Sequence, residues 1–178
     1  MAMQLLIDDE FTLRSFRVED REDLVVGLND WAVARWLARV PYPYRLDHAD
    51  EFLGRDEHVD IEGAMSDPDA GFALALCHRD RVIGGLVCNP TDDKGDREIG
   101  FWLARSFWGW RIMCRAADRM IEEVLVRAPA TRLIASANHD NHRSQALILR
   151  LGFVEDGGRE VMSTPLQRPV RLRCFRRP

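Results

Sequence analysis

A chain of 178 residues, 46% hydrophobic and 30% charged, has the make-up of a folded globular protein and excludes a disordered one; the length predicts one domain over residues 1–178. The net charge of −4 excludes a general nucleic-acid binder, which carries a basic footprint. No apolar run reaches the about 20 residues that cross a bilayer, and the opening MAMQLLIDDEF turns acidic too early for a secretion signal, so a cytoplasmic protein with no membrane role is expected. Cys77, Cys88, Cys114 and Cys174 form no CxxC pair and have no His at ligand spacing. They read as reduced, mostly buried thiols, with no disulfide framework and no metal.

In chain order, EFTLRSFRVED alternates apolar and polar residues and then reaches a capping aspartate, which predicts a strand followed by a helix. Residues 22–38 carry apolar positions that suit two short helices hinged near Asn29 and Asp30, stopped by PYPY at 41–44. Residues 46–59 read as a further helix and 62–71 as a turn-rich loop. FALALCH and RVIGGLVCN form a hairpin across a two-residue turn, and residues 97–104 add a third strand. On that strand Glu98, Gly100 and Trp102 share one face and Ile99, Phe101 and Leu103 the other. Residues 109–126 repeat apolar positions at helical spacing, 131–138 read as a strand, 141–151 as a helix ended by Gly152, and two strands close the chain. The order is mixed α/β (α+β): a mostly antiparallel sheet flanked by helices, with one strand–helix–strand crossover through 97–138.

Two segments carry chemistry. In REIGFWLARSFWGWRIMCRAADRM a strand runs through a short loop into a helix N-terminus, where unpaired N–H groups and the positive dipole end suit phosphate oxygens. An ordinary strand–loop–helix connection has the same appearance. The second segment is ANHDNHRSQALILRLGF, with Asn138, Asn141, Ser144, Leu151, Gly152 and Phe153 in the pattern N-x-x-N-x-x-S followed by L-G-F. Together these segments resemble the GNAT acetyltransferases, within them the RimJ/RimL-type branch, over about residues 9–155.

The resemblance implies the GNAT fold, binding of acetyl-CoA as co-substrate, and transfer of its acetyl group to a primary amine. It implies that Phe101, Trp102 and Leu103 pair through their backbone with the pantetheine arm and that the N–H groups of Trp108, Gly109, Trp110, Arg111, Ile112 and Met113 hold the pyrophosphate. Asn138, Asn141 and Ser144 correspond to positions beside the pantetheine. Against the family's W-G-x-G-x-A, the chain keeps Trp108 and Gly109 but has Arg111 for the second glycine and Met113 for a small residue. The Cβ of Arg111 could crowd the pyrophosphate; equally, a helical backbone there does not require glycine, and the guanidinium could hold a phosphate. Arg111, Arg115 and Arg119 lie one turn apart, either as a solvated face or with one arginine facing the phosphates.

Amine attack on a thioester needs a proton acceptor and a donor to the oxyanion. Glu98 is the candidate base, through water, or else a structural carboxylate paired with an arginine. The N–H near Leu103 is the candidate oxyanion donor. Many GNAT enzymes place a tyrosine acid where this chain has Ile148; the resemblance to RimL-type relatives, where the motif serine is proposed to serve instead, implies the proton-donor role for Ser144, or only a hydrogen bond to the sulfur, beside an Asn141 or Asp140 cap. Trp31, Trp36, Tyr42 and Tyr44 line the acceptor side or pack in the core.

His139 and His142 read as polar loop residues. The arginine-rich tail reads as a solvated edge strand or an attractor of acidic peptide or rRNA. By branch resemblance the acceptor is a protein N-terminal α-amine; the alternatives are a small amine such as an aminoglycoside or polyamine, or a non-catalytic module that lost the cofactor. The oligomeric state stays open, a homodimer included.

Overall fold

The computed structural model describes residues 4–54, 61–92 and 95–178. Its strands are β1 (Gln4–Leu6), β2 (Phe11–Ser15), β3 (Phe72–His78), β4 (Arg81–Pro90), β5 (Asp96–Leu103), β6 (Arg132–Asn138), β7 (Val154–Ser163) and β8 (Arg168–Arg176). Its helices are α1 (Arg21–Leu28), α2 (Trp31–Ala34), α3 (Leu46–Leu53), α4 (Ile61–Ser66), α5 (Ile112–Arg127) and α6 (His142–Arg150). The strands form one sheet in the order β1-β2-β3-β4-β5-β6-β8-β7, with β5 and β6 parallel and every other pair antiparallel. The crossover expected through residues 97–138 is β5–α5–β6.

The sequence of β3 shows why the sheet is covered on both sides. FALALCH alternates large and small apolar residues, and the alternating side chains of a strand point to opposite faces. Phe72, Leu74 and Leu76 join the main core under α5, while Ala75 and Cys77 meet Phe16 and Trp102 on the face of α1. Along α5 the buried residues are Ile112, Met113, Ala116, Ala117, Met120, Ile121 and Val124, one helical stripe, and its fully buried alanines let the helix lie close on the sheet. Burying such a stripe supplies about 25 cal/mol per Å² of apolar surface. The opposite face of α5 is tied by Arg119 and Arg127 to Glu123.

The structure corrects five expectations. Residues 62–71 are not all loop: α4 occupies Ile61–Ser66, with Ile61 and Ala64 fully buried, a helix too short to show periodicity. Its C-terminal carbonyls are held by Arg97 of β5, which donates to Ala64 O (2.6 Å), Asp67 O (3.0 Å) and Ala70 O (2.7 Å). β1 was not expected; it pairs with β2 through three residues. The helix expected over 46–59 ends at Gly54, with 55–60 outside the described residues. The long helix starts at Ile112 rather than Gly109, because Gly109 (φ 88°) and Arg111 (φ 58°, ψ 14°) are left-handed. Finally, β8 is no edge strand: it lies between β6 and β7, and β7 forms the edge.

Candidate active site

The site opens where the sheet parts. β5 and β6 pair in register from Asp96↔Arg132 to Ile99↔Ala135 and no further, although β5 continues to Leu103 and β6 to Asn138. On its other side β5 stays paired with β4 as far as Gly84↔Leu103. Ala104 N–H donates to Ile83 O (2.7 Å), which fixes the parity of the ladder. Hydrogen-bonded pairs alternate along an antiparallel ladder, so Gly100 and Trp102 direct their backbone groups at β4. Phe101 N–H and C=O and Leu103 N–H then face the gap, with no partner strand in the register. An extended chain laid in the gap can pair with them. This corrects the expectation for Trp102, whose backbone serves β4. Its indole instead wedges between Gly27 and Gly85, where an added Cβ would come within 2.5 and 2.6 Å of the ring.

The gap leads into the loop before α5. Trp108 Nε1 donates to Leu103 O (2.8 Å), so the loop folds back on the end of β5. The left-handed Gly109 and Arg111 then bring the chain to the start of a 16-residue helix. Arg111 gives no side-chain cap, so the first N–H groups of α5 stay open to an anion. Met113 is 4% exposed with its side chain in the core, so it does not fill the phosphate position; Ile112 is buried likewise. Trp110 is 69% exposed and outside the cleft lining. The arginine stripe divides: Arg115 pairs with Asp8 and Arg119 with Glu122 and Glu123, while Arg111 has no carboxylate partner among the described residues. Arg143, stacked 5.1 Å from the Trp108 ring, and Arg150 are likewise without a carboxylate and line the same cleft. The expectation of a helical backbone at Arg111 fails, yet the left-handed geometry glycine would give is kept.

Across the gap, Asn138 ends β6 and Asn141 caps α6. Asn138 Oδ1 accepts from Asp140 N–H (3.0 Å) and Asn141 Oδ1 from Ser144 N–H (3.2 Å). Gln145, 4% exposed, donates to the carbonyls of Asn138 (2.9 Å) and His139 (2.8 Å) and fixes the junction. Ser144 lines the cleft, and its Oγ has no hydrogen-bond partner among the described residues.

Glu98 lies on the opposite face of β5 from the α5 core. Its Oε1 accepts from Ser136 Oγ (2.6 Å) and from Arg159 Nη2 on β7 (2.6 Å), and Oε2 has no donor among the described residues. Burial pushes its pKa up, but the hydrogen bonds from Arg159 and Ser136 outweigh that and hold the carboxyl below its ordinary value. Glu98 is therefore an anion at neutral pH. The four cysteines offer no competing nucleophile, since burial raises each thiol, Cys77 to about 11 and Cys88 to about 12.

All of these surfaces line one cleft of about 1700 Å³. At its other end, Trp36 and Tyr44 are in the wall, Trp36 under the Arg35 guanidinium at 4.4 Å and Tyr44 5% exposed. Trp31 and Tyr42 are not: their rings pack on each other (4.9 Å) away from the cleft, which corrects that expectation. Ser136, Arg159, Arg143, Arg150, Arg35 and Arg39 were not singled out in the sequence. Arg143 and Arg150 could have been, since they flank Ser144 within the motif. The Glu98–Arg159 pair spans 61 residues and leaves no local signal. Among the described residues, no group of three or more His, Cys, Asp and Glu is placed to hold a metal, and no helix is long and apolar enough to cross a membrane.

Comparison with known proteins agrees with this geometry. Residues 10–154 match the family model of the acetyltransferase (GNAT) domain. The N-acetyltransferase p20 of Bacillus licheniformis, itself uncharacterised, is 25% identical over 156 residues, covering 87% of this chain and 85% of that one. The ribosomal-protein-serine acetyltransferase of Escherichia coli is 26% identical over 105 residues, 57% of this chain and 59% of that one. Among solved structures, RimL, the ribosomal L7/L12 α-N-protein acetyltransferase, superposes with a TM-score of 0.77 at 17% identity, over 99% of this chain and 94% of that one. A parted β5–β6 pair leading into an uncapped helix, matched along most of the chain by one family, places this protein in the GNAT family as an acetyl-CoA-dependent N-acetyltransferase.

Proposed function

We infer that the chain acetylates the α-amine of a protein N-terminus by direct attack on acetyl-CoA. The observation that carries the reading is the pairing of two openings in one cleft: the free β5 edge before the α5 loop, and the Glu98 carboxylate beside an open wall. Names of ribosomal-protein acetyltransferases among the similar proteins support the acceptor class.

Acetyl-CoA supplies the activated acyl group. The groups facing the gap at Phe101 and Leu103 fit its pantetheine, the N–H groups from Trp108 to Met113 fit its pyrophosphate, and Arg111, Arg143 and Arg150 add positive charge at that end. Phe101 N–H, the gap-facing donor nearer to Glu98, steadies the carbonyl oxygen as it gains charge, and Leu103 N–H is left to the pantetheine. Glu98 Oε2 faces the incoming amine, favours it electrostatically and takes its proton through water. Ser144 Oγ donates to the sulfur as it leaves. No cysteine takes part, in keeping with direct attack.

Thiol release measured over a panel of peptides and small amines tests the acceptor. Peptides with a free α-amine are expected to turn over, and their Nα-acetylated forms are not; turnover of aminoglycosides or polyamines alone would contradict the reading.

Arg111 provides a second test. A side chain in the left-handed region costs about 1 kcal/mol relative to glycine. Arg111→Gly should therefore raise Tm by about 2–4 °C while weakening acetyl-CoA binding about tenfold, the equivalent of one charge-assisted hydrogen bond. Thermal melts and calorimetry read the two effects separately, and unchanged affinity would remove Arg111 from the phosphate site.

A further inference from the structure

Resting on the transfer reading above, we propose that the acceptor is a protein N-terminus followed within a few residues by aspartate or glutamate. Six arginines and three carboxylates line the cleft of a chain whose net charge is −4. Three of those arginines, Arg111, Arg143 and Arg150, stand at the phosphate end. At the acceptor end are Arg35 and Arg39, on the turn after α2, and Arg159 on β7. Arg168 is outside the cleft lining, but the pairs Arg159↔Leu172, Val161↔Val170 and Ser163↔Arg168 lie two residues apart, so it shares the sheet face of Arg159. Of the carboxylates at this end, Glu98 already holds Arg159, and Asp92 is the other. Arg35, Arg39 and Arg168 are exposed and make no salt bridge among the described residues, although the charge of Arg39 is felt at Glu98, whereas Arg14, Arg81, Arg115, Arg119, Arg132 and Arg173 each pair with a carboxylate.

The placement distinguishes an acidic peptide from other anionic amines. The free cations belong to two walls, the 35–40 turn and the β7–β8 hairpin, which are tied where Thr164 N–H donates to Ala38 O (2.8 Å). Cations carried on two separate walls suit charges spread along a chain. One face of Trp36 is already covered by Arg35, so the ring is a poor platform for a nucleotide base. A polyamine or aminoglycoside would meet like charge.

The test uses the full chain, acetyl-CoA and peptides that share a first residue but carry acidic, neutral or basic residues at the next four positions. The acidic series should exceed the basic in kcat/KM by about tenfold at low salt, with the gap closing at high salt. The double variant R35E/R39E should reverse the order while its calorimetric affinity for acetyl-CoA stays unchanged. Equal rates for the three series, or preference for a polyamine or an aminoacyl nucleotide over every peptide, would overturn the proposal. If neutral peptides are acetylated without charge preference, the transfer reading stands and only this proposal falls; if no amine is acetylated, both fall.

Discussion

Glu98→Gln is expected to lower kcat by about 10²–10³-fold, the usual contribution of a positioned base, with little change in KM for acetyl-CoA. The amide keeps the shape of the carboxylate and can still accept from Ser136 and Arg159, but it neither attracts an ammonium nor takes a proton. The environment of the carboxylate adds a pH signature. Burial alone would raise its pKa; Arg159 and Ser136 bring it below the ordinary carboxylate value. The acid limb of kcat/KM in the native enzyme is therefore set by protonation of the amine and not by Glu98. In Arg159→Met the larger of the lowering influences is gone, burial prevails, and an added acid limb should emerge at higher pH than any from Glu98 in the native enzyme. The sign for stability follows the same logic: a carboxyl whose folded pKa is depressed contributes stability above its unfolded pKa and loses it as pH falls through the folded one. A steady-state pH series on both variants checks this. Activity of Glu98→Gln within about threefold of native would show that the ion pair is structural, since loss of a true base costs far more.

Arg97→Ala is expected to destabilise the fold by about 4 kcal/mol. The guanidinium is 6% exposed, faces no carboxylate among the described residues, and donates to three carbonyls at and beyond the end of α4. A cation at a helix C-terminus meets both the open carbonyls and the negative dipole end. Truncation strands acceptors that cost about 1–3 kcal/mol each when buried without a donor, reduced where water can enter. At about 2–4 °C per kcal/mol for a chain of this size, Tm should drop by roughly 8–16 °C. Arg97→Lys should recover part of this, because one ammonium cannot span carbonyls that the guanidinium reaches from two nitrogens. A drop under about 2 °C would mean that α4 is held by Ile61 and Ala64 alone.

What the sequence made legible is what short-range pattern encodes. The stripe of α5 repeats over 16 residues, the large–small alternation of β3 is regular, and the asparagine-serine motif before L-G-F marks the β6–α6 junction. The family resemblance, and through it the expectation of acetyl-CoA, rests on the last of these and on the strand–loop–helix segment before it. Illegible were features set by partners far apart in the chain. Whether β8 lies at an edge depends on which strand covers it. The parting of β5 from β6 is a property of two strands joined by a whole helix, and with it comes the parity that points Phe101 and Leu103 into the gap but Trp102 at β4. Glu98 meets Ser136 and Arg159 across 38 and 61 residues. Arg111 misled in a different way: helical and left-handed backbones are both open to it in principle, and only the closure of the Trp108 loop on Leu103 O selects between them.

Hydrogen exchange of backbone amides, with and without coenzyme A, tests the parted strand most directly. Trp102 N–H should be protected in both states because it belongs to the β4 ladder, whereas Phe101 and Leu103 should exchange quickly alone and slowly at saturating ligand. Unchanged exchange at Phe101 and Leu103 under saturation would contradict the assignment of the β5 edge as the binding surface.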